Sequence, residues 1–403
     1  MRLYLLDDDQ ALRWSPFAET RPVGELRFGA LLLRERLERW SGLVCSGHLS
    51  APALTGCDEP NTPPCVPGEE TAPEGGALMW CSRAAPALDG PPPEDSASGV
   101  FVMDGRVAGI RVPAGGSLTE ARAALGRPVS GDGPGTVVPG DLLEWPWDLV
   151  ERNAVRLSDD LGTMYGSGES VAPDGCWRLG EAPVSLGEGA EVGPGVVLDT
   201  RGGPIRLDDG VVVEGPARLV GPLHLGPGCR VFGGQVGRLS AGPVCKLRGE
   251  IDSSVLVGYV NKAHDGYLGH ALLGRWVNLG ALTTNSDLKN DYGPVRVELP
   301  SGTVDTGRMK IGVFLGDHVK TGIGTVLNTG AVVGAGCNVF GGGMPPKTLP
   351  PFSWAGGGTV VPFRWDKFIE VARVVMARRD QPLADGTIRI LKGLWERTHG
   401  SGT

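Results

Sequence analysis

The stretch Ile205–Val231, IRLDDGVVVEGPARLVGPLHLGPGCRV, decides the fold because its apolar residues keep a fixed beat. Ile205, Val211, Ala217, Leu223 and Cys229 lie six apart, and Leu207, Val213, Leu219, Leu225 and Val231 repeat that spacing offset by two. Gly, Asp and Pro fill many of the gaps, and these are corner-forming residues. Apolar, spacer, apolar, corner describes a short flat strand followed by a sharp turn. Three such strands close a triangular coil of about 18 residues, and stacked coils bury their inward aliphatics in one continuous core. This is the hexapeptide signature of a left-handed parallel β-helix, an exception to right-handed crossovers. A β-sandwich with glycine-rich turns would not hold two tracks in step over five repeats.

The pattern extends in both directions. Upstream, Val184, Ala190 and Val196 run beside Leu186, Val192 and Leu198, and the phase slips by three around Thr200–Pro204. Downstream, Val313, Val319, Thr325, Ala331 and Cys337 form one track, with Leu315, Thr321, Leu327, Val333 and Val339 as the other. The β-helix is thus expected over 183–362, with roughly eight or nine coils. It is interrupted at about 288–309, where PVRVELPSGTVDT reads as a hairpin-like excursion. Long excursions from a solenoid often lie on its binding face. Residues 363–403 read as C-terminal helices. WDKFIEVARVVMARRD would place Phe368, Val371, Ala372 and Val375 on one buried face, with Arg373, Arg378 and Arg379 solvated. A second helix is expected from Leu383 to Arg397.

Residues 1–150 have another texture and read as a small α/β domain. RLYLLDD is a buried strand, GELRFGALLLRERLERW a helix, and SGVFVMDGRVAGIRVP two strands about an Asp104-Gly105 turn. The Pro/Gly-rich 50–76 stretch reads as a loop. Residues 151–182 form a linker, entered by a helix over EWPWDLVERNAVRLSDDL, 144–161.

Composition narrows the function. The net charge is −8 and no basic patch carries interleaved aromatics, which argues against nucleic acid. MRLYLLDDDQ is not a signal peptide, and no apolar run reaches the ~18 residues of a membrane span. The eight cysteines include no C-x-x-C pair and read as reduced thiols of a cytoplasmic protein.

Within the monotonous repeat, NKAHDGYLGHALLGRWVNLGA, 261–281, gathers two histidines, a tyrosine, a lysine and two asparagines. Together with the α/β opening, it makes the chain resemble the sugar nucleotidyltransferase family that joins a nucleotidyltransferase-like domain to a hexapeptide acyltransferase domain. That is the family of the bifunctional N-acetylglucosamine-1-phosphate uridyltransferase/glucosamine-1-phosphate acetyltransferase. The family's catalytic histidine precedes Tyr-Leu-Gly, and AHDGYLG supplies His264 and Tyr267. Its substrate-site asparagine and a glutamate lie fourteen residues to either side of that histidine, matched here by Asn278 and Glu250. A lone histidine would read as a structural corner, but three spacings agree. The resemblance implies acyl transfer from acetyl-CoA or another acyl-CoA to a sugar phosphate or sugar nucleotide. His264 would be the base, Glu250 would orient it, and Tyr267, Asn278 and Lys262 would hold the acceptor. Histidine suits the task because it titrates near working pH. The resemblance also implies a homotrimer with the acyl-CoA arm between neighbouring solenoids. His270 and His318 lack such support and read as surface or corner residues. The chain departs from the family at Asp252, where a sugar-phosphate-binding lysine is expected. Lys246, Arg248 or Lys262 would have to compensate, or the acceptor differs.

The N-terminal likeness is looser. Arg13 in RWSP and Arg21-Pro22 stand where the family has an arginine and a Lys-Pro that meet a nucleoside triphosphate. The family's glycine-rich phosphate loop is replaced by Asp7, Asp8, Asp9 and Gln10, which cannot approach phosphates through bare backbone as glycines do. Clustered aspartates suggest Mg²⁺, although such groups are more often simply solvated. The later Gly-Asp metal ligand of active enzymes is missing, with LMWCSRAAP in about its place. Nucleotidyl transfer, alone or as a second activity, and a non-catalytic sugar-nucleotide-binding scaffold are therefore the competing expectations.

Overall fold

The computed structural model describes residues 1–68, 70–90, 99–129, 135–166 and 173–400. Its larger part is the parallel β-helix that the hexapeptide period dictates. The tracks of alternate aliphatics, Val196 and Leu198 through Leu349 and Ala355, point inward and form one buried cluster. Outward side chains stack rung on rung along three faces. The first face carries Trp177, Val197, Arg218, Gln235, Glu250 and Tyr267 in register. The second carries Arg206, His224, Ser240, Val255, Leu272, Phe314 and Val332. The third carries Arg230, Lys246, Asn261, Asn278, Lys320 and Asn338.

The corners follow from local backbone needs. Between the first and second faces stand Arg238, Ser253 and His270, and between the second and third Tyr259, Trp276 and His318, all at positive φ. The corner from third face to first uses Gly249 and Gly266 instead. At Gly266, with φ of 129°, a Cβ would lie 2.2 Å from the Thr283 carbonyl of the next coil, so no side chain fits. The solenoid closes on an antiparallel pair, Ser353–Gly356 with Thr359–Pro362.

The N-terminal domain is built on a mixed sheet of Cys45–Leu49, Arg2–Leu6, Ala77–Cys81, Arg106–Val112, Val100–Met103 and Thr136–Val137. The first three strands run parallel. The turn at Asp104 and Gly105, both at positive φ, joins the two strands expected there. One element is shorter than its sequence pattern: the helix expected from residue 24 spans only Leu33–Ser41. Residues 24–32 instead form a 3-10 turn and a tight hairpin about Gly29, whose amide donates to Asn153 Oδ1 at 3.0 Å. Those apolar residues are buried by tertiary packing, and the helical period does not decide their backbone.

The N-terminal domain is not a bead on a string. It lies along the second face of the solenoid. Trp14, Phe17, Val23, Phe28, Trp147 and Val150 share one apolar cluster with Val255, Val257, Leu272, Phe314 and Val332. The hairpin Arg296–Leu299/Gly302–Asp305 folds into the same cluster through Val295, Val297 and Leu299. It therefore packs on the covered face instead of projecting over a binding face. The helix Trp365–Ala377 buries Phe368, Ala372 and Met376, whereas Val371 is exposed. Phe368 and Ala372 are buried as expected, with Met376 completing the face while Val375 is only half-buried. The helix Asp385–His399 docks on the 50–76 segment, where Asp58 accepts from the Gly386 and Thr387 amides at 2.6 and 2.8 Å.

Candidate active site at an edge of the solenoid

With the second face covered, polar side chains gather at the edge between the third and first faces. Glu250 and Tyr267 are rung neighbours on the first face, roughly one strand spacing of 4.8 Å apart. Asn278 sits on the third face, and Asn261 Nδ2 on the rung before donates to its Oδ1 at 2.7 Å. His264 occupies the turn that joins these faces, and its ring is exposed. A groove of about 610 Å³ runs beside it, lined by Gln235, Gly249, Glu250, Asp265, Gly266 and Tyr267. The four residues thus converge on one edge, but Glu250 makes no hydrogen bond to His264 here. Among the described residues, neither side chain has a hydrogen-bond or ion-pair partner.

Lys262 is placed differently from the expectation. Its side chain is fully buried, and Nζ donates to the carbonyls of Arg248, at 3.1 Å, and of His264. Burial lowers the amine to about 8. Lys262 is thus turned into the corner that shapes the His264 loop, where it cannot also hold an acceptor in the groove.

Tyr267 introduces a residue that spacing did not flag. Its phenol donates to Asp287 Oδ2 at 2.7 Å, and His270 Nδ1 meets the same oxygen at 2.7 Å. Burial pushes the Asp287 carboxyl up, but the hydrogen bonds from His270 and Tyr267 outweigh it and hold the group below its usual range. Burial, then the hydrogen bond and charge of Asp287, push the Tyr267 phenol up, so it stays a donor. His270, read from sequence as a corner residue, is at a corner but is also carboxylate-bound. It faces a cavity of about 400 Å³ against Trp147, Val150 and Arg308. The only sequence signal for Asp287 was its position at the mouth of the insertion.

At Asp252, where the chain departs from the family, the acid has a partner. Arg238 Nη2 pairs with Asp252 Oδ2 at 2.6 Å, so the acid is matched by a cation from the preceding coil. None of the three expected compensators does this. Arg248 instead donates to Asp265 at 3.0 Å.

In the N-terminal domain, a cavity of about 550 Å³ opens at the C-terminal ends of Arg2–Leu6 and Ala77–Cys81. Open α/β sheets bind ligands in such a crevice. Arg13 and Arg127 line it, and neither side chain has a polar partner among the described residues. Arg83 also lines it, at about the place of the family's missing metal ligand, and is tied to Asp8 at 2.8 Å. Two of the three aspartates are already engaged by protein donors, and only Asp9 is exposed at the cavity. Asp7 is buried and accepts from Ser50, from Ser82 at 2.6 Å and from the Val23 amide at 3.2 Å. Asp8 is held by Arg83 and the Ala11 amide. Among the described residues no cluster of three His, Cys, Asp or Glu side chains could hold a metal ion. Arg21, expected to meet a triphosphate, is 1% exposed and locked to Asp317 of the solenoid and to Glu59.

Residues 3–79 match the sugar nucleotidyl transferase family. The chain is 32% identical over 95 residues to a bifunctional sugar-1-phosphate nucleotidylyltransferase/acetyltransferase of Sulfurisphaera tokodaii, covering 24% of each chain. It is 35% identical over 88 residues to the bifunctional protein GlmU of Methanocaldococcus jannaschii, covering 22% of this chain and 21% of that one. A longer alignment, 220 residues at 26% identity, relates it to GlmU of Nocardia farcinica and covers 51% of this chain and 39% of that one. The chain therefore spans about a quarter of the first two relatives and about two-fifths of the third. Among solved structures, the Arabidopsis UDP-N-acetylglucosamine acyltransferase matches over 52% of this chain and 80% of that one at 11% identity. Its TM-score of 0.24 is too low to bear on fold or function.

The matched segment contains Arg13 and Arg21 but not Arg83 or Arg127. Within the matched segment, Asp7 and Asp8 of the first loop are held by internal hydrogen bonds. No helix among the described residues is long and apolar enough to cross a membrane.

Proposed function

We propose that the chain is an acyltransferase of sugar-nucleotide biosynthesis, moving an acyl group from acetyl-CoA or another acyl-CoA to a sugar phosphate or sugar nucleotide. One observation carries the reading: Glu250, His264, Tyr267 and Asn278 share one uncovered edge of the solenoid, beside an open groove. As the acceptor amine or hydroxyl attacks the thioester carbonyl, His264 takes its proton. The new C–N or C–O bond forms, the C–S bond breaks, and the proton passes to the departing thiolate. Tyr267 and Asn278 would hold the acceptor, and Glu250 would close on the ring once substrate fills the groove. Catalytic hydrogen bonds are often long or unmade without substrate. The first and third faces stay free of the N-terminal domain, which suits a homotrimer with the donor between neighbouring solenoids, in the cytoplasm. The test is acceptor-dependent thiol release from acyl-CoA by the wild-type chain and by His264→Ala. Undiminished release in the variant removes His264 from its role.

A second activity, sugar-1-phosphate nucleotidyl transfer, is favoured by the N-terminal cavity and its two unpartnered arginines, Arg13 and Arg127. It requires pyrophosphate release from a nucleoside triphosphate in the presence of Mg²⁺, weakened by Arg13→Ala. If neither release is seen while sugar nucleotides raise the melting temperature, the chain is a binding scaffold.

A further inference from the structure

A cavity of about 290 Å³ lies where the N-terminal domain, the corner between the second and third faces, and the end of the Trp365–Ala377 helix meet. This corner is distinct from the His264 edge, and the cavity is distinct from the N-terminal crevice. Arg27 lines it and is only 6% exposed. Its Nη1 donates to the Ala30 carbonyl at 2.6 Å, its Nε is buried without a partner, and it joins no ion pair among the described residues. Two more buried atoms at the same cavity lack partners: Arg275 Nε and Thr62 Oγ1.

The nearby carboxylates do not answer Arg27. Glu25 is engaged by Arg34 at 2.6 Å and His48 at 2.9 Å. Glu59 is engaged by Arg21 at 2.9 Å and Arg275 at 2.6 Å. Glu35 accepts from the Leu32 amide at 2.9 Å. A buried guanidinium with no counter-charge is costly to keep, and buried polar atoms left without a partner call for an explanation. A flat wall completes the cavity. Tyr259 stacks on buried Trp276 with centroids 4.1 Å apart and planes 18° from parallel, and both rings line the cavity.

We propose that this cavity binds a phosphate group, whose oxygens accept hydrogen bonds donated by Arg27, Arg275 and Thr62, with Tyr259 as a stacking surface for whatever carries it. The donors come from the N-terminal domain and the solenoid, with Met376 and Gln381 of the C-terminal region alongside. Occupancy therefore ties three parts of the chain together, without a role in acyl transfer itself. The phosphate arrives either as the free ion or on a nucleoside whose base stacks on Tyr259.

The test uses the full chain in phosphate-free buffer at constant ionic strength. Inorganic phosphate, uridine monophosphate or chloride is added, and titration calorimetry and thermal unfolding are recorded. Saturable binding and a raised melting temperature are expected with a phosphate ligand and not with chloride. Arg27→Met should abolish both. Thr62→Val, which removes a hydroxyl without a partner in the free chain, should keep the fold and weaken binding about tenfold or more, as expected for a lost hydrogen bond to a charged group. Binding of inorganic phosphate identifies the free ion, and binding of uridine monophosphate alone identifies a nucleoside carrier. The proposal is overturned by the absence of saturable binding, or by binding undiminished in Thr62→Val. Loss of binding in Arg13→Ala or His264→Ala would move the phosphate to another cavity and overturn it equally.

Discussion

Arg21 and Asp317, 296 residues apart in the chain, meet as a buried ion pair at 2.6 Å. Thr20 Oγ1 donates to the same Asp317 oxygen at 2.7 Å, and the Arg275 amide meets the other at 2.7 Å. Burial pushes the Asp317 carboxyl up, yet the charge and hydrogen bond of Arg21, with the Thr20 hydroxyl, hold it below its usual range. Replacing Arg21 with Met leaves a carboxylate stranded between two domains, which costs roughly 3–5 kcal/mol. Urea unfolding of Arg21→Met should show that loss. A midpoint equal to wild type would mean that the pair does not hold the domains together.

His264→Ala should lower kcat/KM for thiol release by about 10²–10⁴ with the melting temperature unchanged, the range for a removed general base. Asp287→Asn should act differently. It weakens the hold on Tyr267 and His270, so KM for the acceptor should rise more than kcat falls. Steady-state kinetics on both variants separates the roles. An equal fall in kcat for the two would make Asp287 part of the proton transfer.

Lys262→Met should cost stability, not acceptor affinity alone. It strands the carbonyls of Arg248 and His264 that Nζ now satisfies, worth about 1–3 kcal/mol each if they stay dry. The measurement is a denaturation curve beside acceptor KM. A rise in KM at unchanged stability would restore Lys262 to the groove.

Acid should loosen the fold through His318. Burial, with help from Lys320, pushes its ring down to about 3 from the usual 6.5, so it is neutral in the folded chain. The unfolded chain takes up that proton near pH 6.5. This part of the stability is therefore complete above pH 6.5 and lost progressively as pH falls toward 3. His318 stacks near Trp276 and meets Phe368 edge-on, so His318→Phe retains an aromatic contact while removing the titration. Urea midpoints at pH 7.5, 6 and 5 should fall less in His318→Phe than in wild type. Parallel falls would deny His318 the effect. Buried Asp7 and Glu19, with carboxyls pushed up by desolvation, titrate with the opposite sign in both proteins.

The solenoid was legible because its core depends on one repeated local rule: Ile205 and Leu207 point inward for the same reason as Val313 and Leu315. The edge cluster was legible too, since residues one coil apart become rung neighbours. Glu250 and Tyr267, seventeen positions apart, show this. The rest depended on pairings between distant segments. Nothing local in LRFGALLL says that Arg27 and Phe28 turn back in a hairpin, because the contacts that bend them come from Asn153 and from the solenoid. Arg21 was misplaced for the same reason, its partner being a corner aspartate nearly three hundred residues away. Arg238 was overlooked because the candidates considered, Lys246, Arg248 and Lys262, lie close to Asp252 in sequence, whereas Arg238 stands a full coil back.

The shared apolar cluster makes this chain indivisible in practice. Cut near residue 150, each fragment would carry away half of a seam: Trp14, Phe17 and Phe28 on one piece, Val255, Leu272, Phe314 and Val332 on the other. Each would expose a broad greasy stripe of the sort that drives aggregation. Unlike modules joined by a tether, these two parts must be expressed, purified and evolved as a single body, with the seam constraining which substitutions either part tolerates.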